Sequence, residues 1–103
     1  MTQPLPDDAP VQKVRLDVWL FRARFVKSRG LAAGLIEKGR IRLERNGQIL
    51  RLTKPAHAIQ PGDILTLPLK PAPLRVEVCT VGERRGPASE ARTLYRTLDI
   101  AGP

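Results

Sequence analysis

Apolar residues near the start of the chain recur at the spacing of one helix face. They stand at i, i+3, i+4 and i+7 and are Leu16, Trp19, Leu20 and Ala23. This periodicity predicts a first helix that buries the four side chains, so Trp19 is expected in the core. Asp17 is a good N-cap, and Leu16 before it can pack on Phe21 as a hydrophobic staple. We therefore expect the helix to begin at Asp17.

A second helix is predicted to begin at Ser28, because a serine side chain can accept a hydrogen bond from a backbone N–H of the first turn. Its buried stripe should consist of Leu31, Ala32, Leu35 and Ile36. Gly39 suits the left-handed position just after a last helical turn, so we expect it to end this helix.

Segments that alternate between apolar and polar residues follow the two helices and predict short strands. The predicted strands span 40–43, 48–52, 64–69 and 74–81. In the first of them, Ile41 and Leu43 face inward and both arginines face outward. Asn46-Gly47 is a hairpin signal between the first two strands. Pro68 places the third strand at an edge of the sheet, because proline cannot donate a hydrogen bond to a neighbouring strand.

Gly86-Pro87 is predicted to start a third helix, because proline suits the first helical position. Its apolar stripe would be Ala88, Ala91, Leu94, Tyr95 and Leu98. The order of elements predicts an α+β fold, in which two short N-terminal helices pack on a small, mostly antiparallel sheet and a C-terminal helix follows. We divide the chain into a disordered tail (1–12), a domain (13–82) and a basic loop with the C-terminal helix (83–103).

Positive charge is concentrated in one block of the chain. The whole sequence has a net charge of +8, but residues 13–54 hold twelve basic and three acidic residues, a net charge of +9. The rest of the chain is close to neutral. A surface that only keeps the protein soluble does not require positive charge to be concentrated in one block. A polyanion partner explains the block, because its negative charge offsets the mutual repulsion of the basic residues.

Several classes of function are excluded at this stage. Cys79 and His57 are the single cysteine and histidine of the chain, so neither a disulfide nor a cysteine or histidine metal site can be built within it. The sequence has no Ser/His/Asp set, no phosphate-binding glycine loop and no paired carboxylates on one predicted element, since Asp7 and Asp8 lie in the predicted tail. We therefore expect no catalysis, cofactor or metal. No segment approaches the roughly 20 apolar residues of a membrane span. We expect a cytoplasmic protein without a membrane partner.

The Lys27-Ser28-Arg29 segment predicts an anion site. A helix start leaves backbone N–H groups unpaired, and its dipole favours negative charge. Basic residues of neighbouring elements are expected to face the same region, namely Arg15, Arg22, Arg24, Arg40 and Arg42. Their guanidinium groups suit bidentate phosphate contact. Since the second helix offers mainly Gly, Ala and Leu rather than base-reading Asn or Gln, a folded RNA backbone is a better target than DNA.

Several short motifs follow one another in an order that resembles the αL RNA-binding domain, which is named for ribosomal small-subunit protein four. They are Arg15-Leu16-Asp17, Trp19-Leu20, Arg24-Phe25, Lys27-Ser28-Arg29, Asn46-Gly47, Lys54-Pro55 and Pro61-Gly62-Asp63. Arg84-Arg85 with the segment 86–91 is similar to the tail of the heat shock protein 15 subfamily. The resemblance covers about residues 14–96 and assigns the αL fold to the domain at 13–82.

The resemblance implies a non-enzymatic, ribosome-associated stress factor. Such a factor would bind rRNA of the free large ribosomal subunit, with the peptidyl-tRNA of a stalled translation event, and help to return the subunit to use. We expect it to be a monomer. With the basic block, the resemblance predicts that the RNA-binding residues are Arg15, Arg22, Arg24, Lys27, Ser28, Arg29, Lys38, Arg40, Arg42, Asn46, Lys54, Arg84 and Arg85.

The sequence also departs from the family pattern. Val18, Phe21 and Ala56 stand where the family usually has Lys, Trp and Ser. The hairpin also carries extra residues around Glu44-Arg45 and in residues 49–52. Two alternatives to the ribosomal hypothesis stay open. One is an RNA-binding module that acts with a separate RNA-modifying enzyme. The other is a non-specific nucleic-acid binder that also takes DNA.

Overall fold

Three helices and seven strands follow one another in residues 12–98, the part of the chain that this computed structural model describes. The helices are α1 (Leu16–Arg22), α2 (Arg29–Glu37) and α3 (Ala88–Ala91). The strands are β1 (Val14–Arg15), β2 (Ile41–Arg45), β3 (Gln48–Leu52), β4 (Ala58–Ile59), β5 (Ile64–Leu67), β6 (Leu74–Val78) and β7 (Tyr95–Leu98). The predicted disordered tail lies outside the described residues except for Gln12.

Five strands form one antiparallel sheet in the order β3-β2-β5-β6-β7, and β1 pairs with β4 in a separate ribbon. The register places Leu43, Leu65 and Val76 side by side on adjacent strands, and all three side chains are fully buried. Removing this apolar row from water stabilises the helix-facing side of the sheet. The α+β class, with helices on a mostly antiparallel sheet, is confirmed.

Trp19 lies at the centre of the helical layer, as its position in the first apolar stripe predicted. Its side chain is completely buried, and its indole N–H donates a hydrogen bond of 3.0 Å to the Thr80 carbonyl oxygen. Its ring contacts those of Phe25 and Tyr95, with centroids 5.9 and 6.5 Å away. Trp19 therefore joins α1 to the segment that follows β6, and a buried core role is confirmed.

The two N-terminal helices largely match their predicted positions. Helix α2 is capped by Ser28, whose hydroxyl oxygen accepts the Leu31 N–H at 3.1 Å. Gly39 has a φ of 73° after the last turn, as predicted. Helix α1 differs, because it begins at Leu16 rather than Asp17, and its N-cap is Arg15 without a side-chain hydrogen bond. The predicted N-cap role of Asp17 was therefore wrong.

Leu31 and Phe21 do not make the contacts that the sequence predicted for them. Leu31, in the first turn of α2, is 58% exposed, and the buried residues of the helix are Ala32 and Ile36. Phe21 is not among the described residues that form or pack against the buried core cluster containing Leu16, so the predicted hydrophobic staple between Leu16 and Phe21 is not formed. The guanidinium of Arg85 instead covers the Phe21 ring, 4.9 Å from its centroid.

The β2–β3 hairpin has the predicted turn. Asn46 and Gly47 adopt φ values of 54° and 77°, as expected for the two central residues of a type I′ turn. Strand β5 corrects another expectation, because it lies between β2 and β6 and not at an edge. It ends at Leu67, so Pro68 falls outside the sheet and is not required to donate a hydrogen bond to a neighbouring strand.

The third helix begins at Ala88, one residue after the predicted first position at Pro87, which is its N-cap, and it is shorter than its apolar stripe suggested. It spans Ala88–Ala91, and after one 3-10 turn the chain enters β7 at Tyr95. Two threonines and a tyrosine in 93–97 favour extended backbone. Pairing of Tyr95 with Val78 also gives the backbone of β6 its hydrogen-bond partners. Non-local pairing therefore overrides the helical spacing.

A buried ion pair anchors the end of the hairpin to the β4–β5 turn. The guanidinium of Arg45 donates to both carboxylate oxygens of Asp63 at 2.8 and 2.7 Å, and the Gln60 N–H donates to the same carboxylate at 2.9 Å. The Asp63 side chain is 1% exposed. Arg45, one of the twelve basic residues of the charge block, therefore has a structural role.

We predict that Arg45→Leu lowers the free energy of unfolding by about 3 kcal/mol, because it leaves the Asp63 carboxylate buried without its cation. Asp63→Asn in the Arg45→Leu background should recover part of that loss. Urea denaturation of wild type, both single variants and the double variant measures the coupling. Additive losses from the two single substitutions would contradict this account of the pair.

Candidate RNA interface

The start of α2 presents backbone amides and positive side chains to solvent. Ser28 satisfies one amide of the first turn, and Lys27, Ser28 and Arg29 are all exposed. No ion pair involves Lys27 among the residues that the structure describes. The remaining first-turn N–H groups and the helix dipole favour an anion at this position. This is the arrangement that the Lys27-Ser28-Arg29 segment predicted.

The Asp17 carboxylate joins the start of α1 to the start of α2. It accepts two hydrogen bonds from Arg15, at 3.0 and 2.9 Å, and lies 3.6 Å from the guanidinium of Arg29. Its side chain is 5% exposed, whereas those of Arg15 and Arg29 are 50% and 52% exposed. The two arginines therefore share one buried anion and keep much of their surface available to a second, external one.

The pKa of Asp17 reflects this environment. Burial opposes ionisation of the carboxyl, but the hydrogen bonds and charge of Arg15 outweigh it, together with the Val18 N–H and the charge of Arg29. The pKa of Asp17 therefore lies below its ordinary value. The carboxylate stays ionised at neutral pH and holds both arginines near one point.

Helix α1 ends in a motif that places Arg24 in an unusual backbone conformation. The N–H groups of Arg24 and Phe25 donate to the carbonyl oxygens of Phe21 and Leu20, at 3.1 and 3.0 Å, which is the hydrogen-bond pattern of a Schellman motif. Arg24 occupies the left-handed position with a φ of 66°, where glycine is usual. Its Nε donates to the Gly86 carbonyl oxygen at 2.6 Å, and this contact compensates for part of the strain.

Arg22 and Arg85 reinforce the same junction between α1 and the segment before α3. Arg22 donates to the carbonyl oxygens of Val81 and Gly82, at 3.3 and 2.7 Å. Arg85 donates in the opposite direction, to the carbonyl oxygens of Phe21 and Val26, at 3.1 and 3.4 Å. Both side chains are half-buried. Three predicted RNA contacts, Arg22, Arg24 and Arg85, therefore also hold the loop against α1.

Two predicted residues, Arg40 and Arg42, lie after the end of α2. Arg42 is exposed on β2, on the face opposite the buried Ile41 and Leu43, and Arg40 immediately precedes that strand. Both follow the end of α2 rather than its start. The nine residues of α2 rise about 1.5 Å each, so the start and the end of the helix lie roughly 13 Å apart. Arg40 and Arg42 therefore follow the opposite end of α2 from the Lys27-Ser28-Arg29 segment.

Four further predicted residues are exposed. Lys38 is the C-cap of α2, Asn46 is the first turn residue of the hairpin, and Lys54 follows β3. Arg84 forms an ion pair with Glu90, with a nitrogen–oxygen distance of 2.7 Å. Sequence reasoning missed the role of Asp17, because an acid at a helix start has a local explanation. The Arg-Leu-Asp motif was the signal for it.

Comparison with known proteins gives consistent matches. Residues 14–65 match the family model of the S4 domain. Heat shock protein 15 of Escherichia coli K12 is 41% identical over 88 residues, which cover 85% of this chain and 62% of the relative. The homolog of that protein in Aeromonas salmonicida is 38% identical over 98 residues, covering 95% of this chain and 70% of the relative. The chain thus spans less than two thirds of the Escherichia coli protein.

A solved structure supports the same relationship. The trimeric structure of Vibrio cholerae heat shock protein 15 matches this fold with a TM-score of 0.72 at 34% sequence identity. The match covers 84% of this chain and 83% of that one. Since 84% of the chain is more than residues 14–65 comprise, the similarity extends beyond that segment.

We predict that Asp17→Asn lowers the free energy of unfolding by about 1.5–3 kcal/mol at neutral pH, because it removes charged hydrogen bonds. A carboxyl with a lowered folded-state pKa stabilises the fold above its unfolded pKa, about 4, and loses this effect as the pH falls through the folded pKa. The difference between wild type and variant should therefore shrink below about pH 4. Denaturant titrations between pH 3 and 7 measure it, and a pH-independent difference would contradict this assignment.

Proposed function

This chain belongs to the heat shock protein 15 family and contains an S4 domain, and from that membership we propose that it is a non-enzymatic RNA-binding protein of the ribosome. Its target would be the rRNA of the free large subunit. The observation that carries the proposal is the exposed helix start at Lys27-Ser28-Arg29, next to the Arg15–Asp17–Arg29 cluster.

The chemistry of this surface favours a phosphate backbone. Unpaired amides at a helix start bind anions, and guanidinium groups bind phosphate oxygens in a bidentate manner. Asp17 fixes the positions of Arg15 and Arg29 before any ligand arrives, which lowers the entropy lost on binding. The exposed side of the first turn of α2 offers Gly30 and Leu31 and no amide side chain, so recognition by backbone shape is favoured over base reading.

The finer parts of the proposal rest on the family resemblance. We propose that the bound particle is a free large subunit that still carries peptidyl-tRNA, and that binding aids its recycling or quality control under stress. The protein would act in the cytoplasm as a monomer, with 13–82 as the RNA-binding domain and Arg84 and Arg85 as a second contact. The Vibrio cholerae protein was solved as a trimer, and the molar mass of this chain in solution distinguishes the proposed monomer from a trimer.

No helix within residues 12–98 is long and apolar enough to cross a membrane. The two alternatives have distinct signatures. A module that serves an RNA-modifying enzyme would copurify with a catalytic subunit. A non-specific binder would lose labelled rRNA to competing duplex DNA, since its affinity would come from charge alone.

Sedimentation tests the proposal. We predict that tagged protein migrates with free large subunits in a ribosome gradient, and that Arg29→Ala increases the fraction that stays at the top of the gradient. Arg29 is preferred over Arg24 as the test site, because Arg24 also holds the loop before α3. Loss of one phosphate contact should weaken binding about five- to eightfold at ~0.1 M salt.

Arg92→Ala serves as the matched control, because Arg92 is an exposed arginine outside the charge block. It should leave sedimentation unchanged. Comigration of wild type with small subunits alone, or with no particle, would contradict the ribosomal assignment. Equal losses for Arg29→Ala and Arg92→Ala would contradict a localised site.

A further inference from the structure

The outer face of the sheet, opposite the core, carries a row of charged side chains in register. Arg42 of β2 lies directly opposite Arg51 of β3 on one side and Thr66 of β5 on the other, and Thr66 pairs with Arg75 of β6. One step along the strands, Glu44 pairs with Ile49 and Ile64. Arg42 and Arg51 are both exposed.

The acids on this face are already engaged by other arginines. Glu44 accepts two hydrogen bonds from Arg75, at 3.1 and 2.9 Å. Glu77 is paired with Arg96 at the β6–β7 end of the sheet. Within residues 12–98, neither Arg42 nor Arg51 forms an ion pair. The positive charge is therefore uncompensated on the β2–β3 side of this face, whereas the charges on the β6–β7 side are paired.

A directly opposed pair of like charges destabilises a two-stranded ladder. The Cβ atoms of such a pair lie about 4.5–5.5 Å apart, and a neutral polar residue in place of either arginine would remove the repulsion. Positive charge continues beyond the pair, because the Arg51 side chain runs past Gly39, with Cδ and Nε 3.7 and 3.8 Å from where a Gly39 Cβ would lie. Lys38 and Arg40 flank that glycine and are exposed.

We infer that Arg42 and Arg51 form a second RNA contact, a two-arginine clamp on one backbone phosphate, separate from the helix start at Ser28. Two guanidinium groups on adjacent strands can approach one phosphate from both sides, and the anion removes their repulsion. Arg51 is a site residue that the sequence analysis did not select. The inference deepens the proposed function and rests on RNA being the partner.

The test compares wild type, Arg51→Gln and Arg92→Gln, binding to protein-free large-subunit rRNA and, separately, small-subunit rRNA over a range of salt concentrations. Arg51→Gln should weaken binding about five- to eightfold at ~0.1 M salt and reduce the log–log salt slope by about 0.7–0.9. Arg92→Gln, which removes an equal charge outside the face, should change neither quantity.

Thermal unfolding without RNA gives a second readout. Since Arg42 and Arg51 are like charges at paired strand positions, Arg51→Gln should raise the melting temperature at low salt, and the difference should shrink as salt screens the two charges. A lower melting temperature of Arg51→Gln would indicate a structural role for Arg51 and would overturn the inference. An rRNA affinity of Arg51→Gln equal to that of wild type would also overturn it. Preference for large-subunit over small-subunit rRNA tests the proposed function separately. If wild type binds both rRNAs equally well and Arg51→Gln still weakens binding, only the proposed function is contradicted.

Discussion

The buried carboxylate of Asp17 is the interaction on which the candidate interface depends. The backbone around it is fixed, because the N–H groups of Leu16 and Asp17 donate to the carbonyl oxygens of His57 and Pro55, at 2.9 and 3.1 Å. From that anchored position one negative charge holds Arg15 and Arg29, which come from the starts of different helices. Without it, the two guanidinium groups would repel each other across the same point.

The arginines of this protein do two kinds of work, and the structure separates them. Arg22, Arg24 and Arg85 donate to backbone carbonyl oxygens and join α1 to the segment before α3. Arg29 and Arg42 keep exposed guanidinium groups on two different surfaces. A count of positive charge therefore overestimates the charge available to a ligand. The left-handed backbone of Arg24 shows that one joining contact is kept at a local conformational cost.

Local chemistry was predictable from the sequence where one or two residues decide the conformation. The Ser28 cap and the Asn46-Gly47 turn depend only on neighbours in the chain, and both are present. Tyr95 was not predictable in this way, because its strand forms by pairing with Val78, seventeen residues earlier in the sequence. The position of Arg42 relative to the α2 start was also hidden, because the alternation of residues 40–43 predicts that Arg42 faces outward but not how far its strand lies from the start of α2.

The central claim is that the α1–α2 face binds large-subunit rRNA. Ultraviolet crosslinking in cells, followed by mapping of both the crosslinked nucleotides and the crosslinked peptides, tests it most directly. If this face binds the subunit, nucleotides of large-subunit rRNA should be joined to peptides that contain the segment 25–31. Crosslinks confined to small-subunit rRNA or messenger RNA, or to peptides from 64–78 alone, would contradict it.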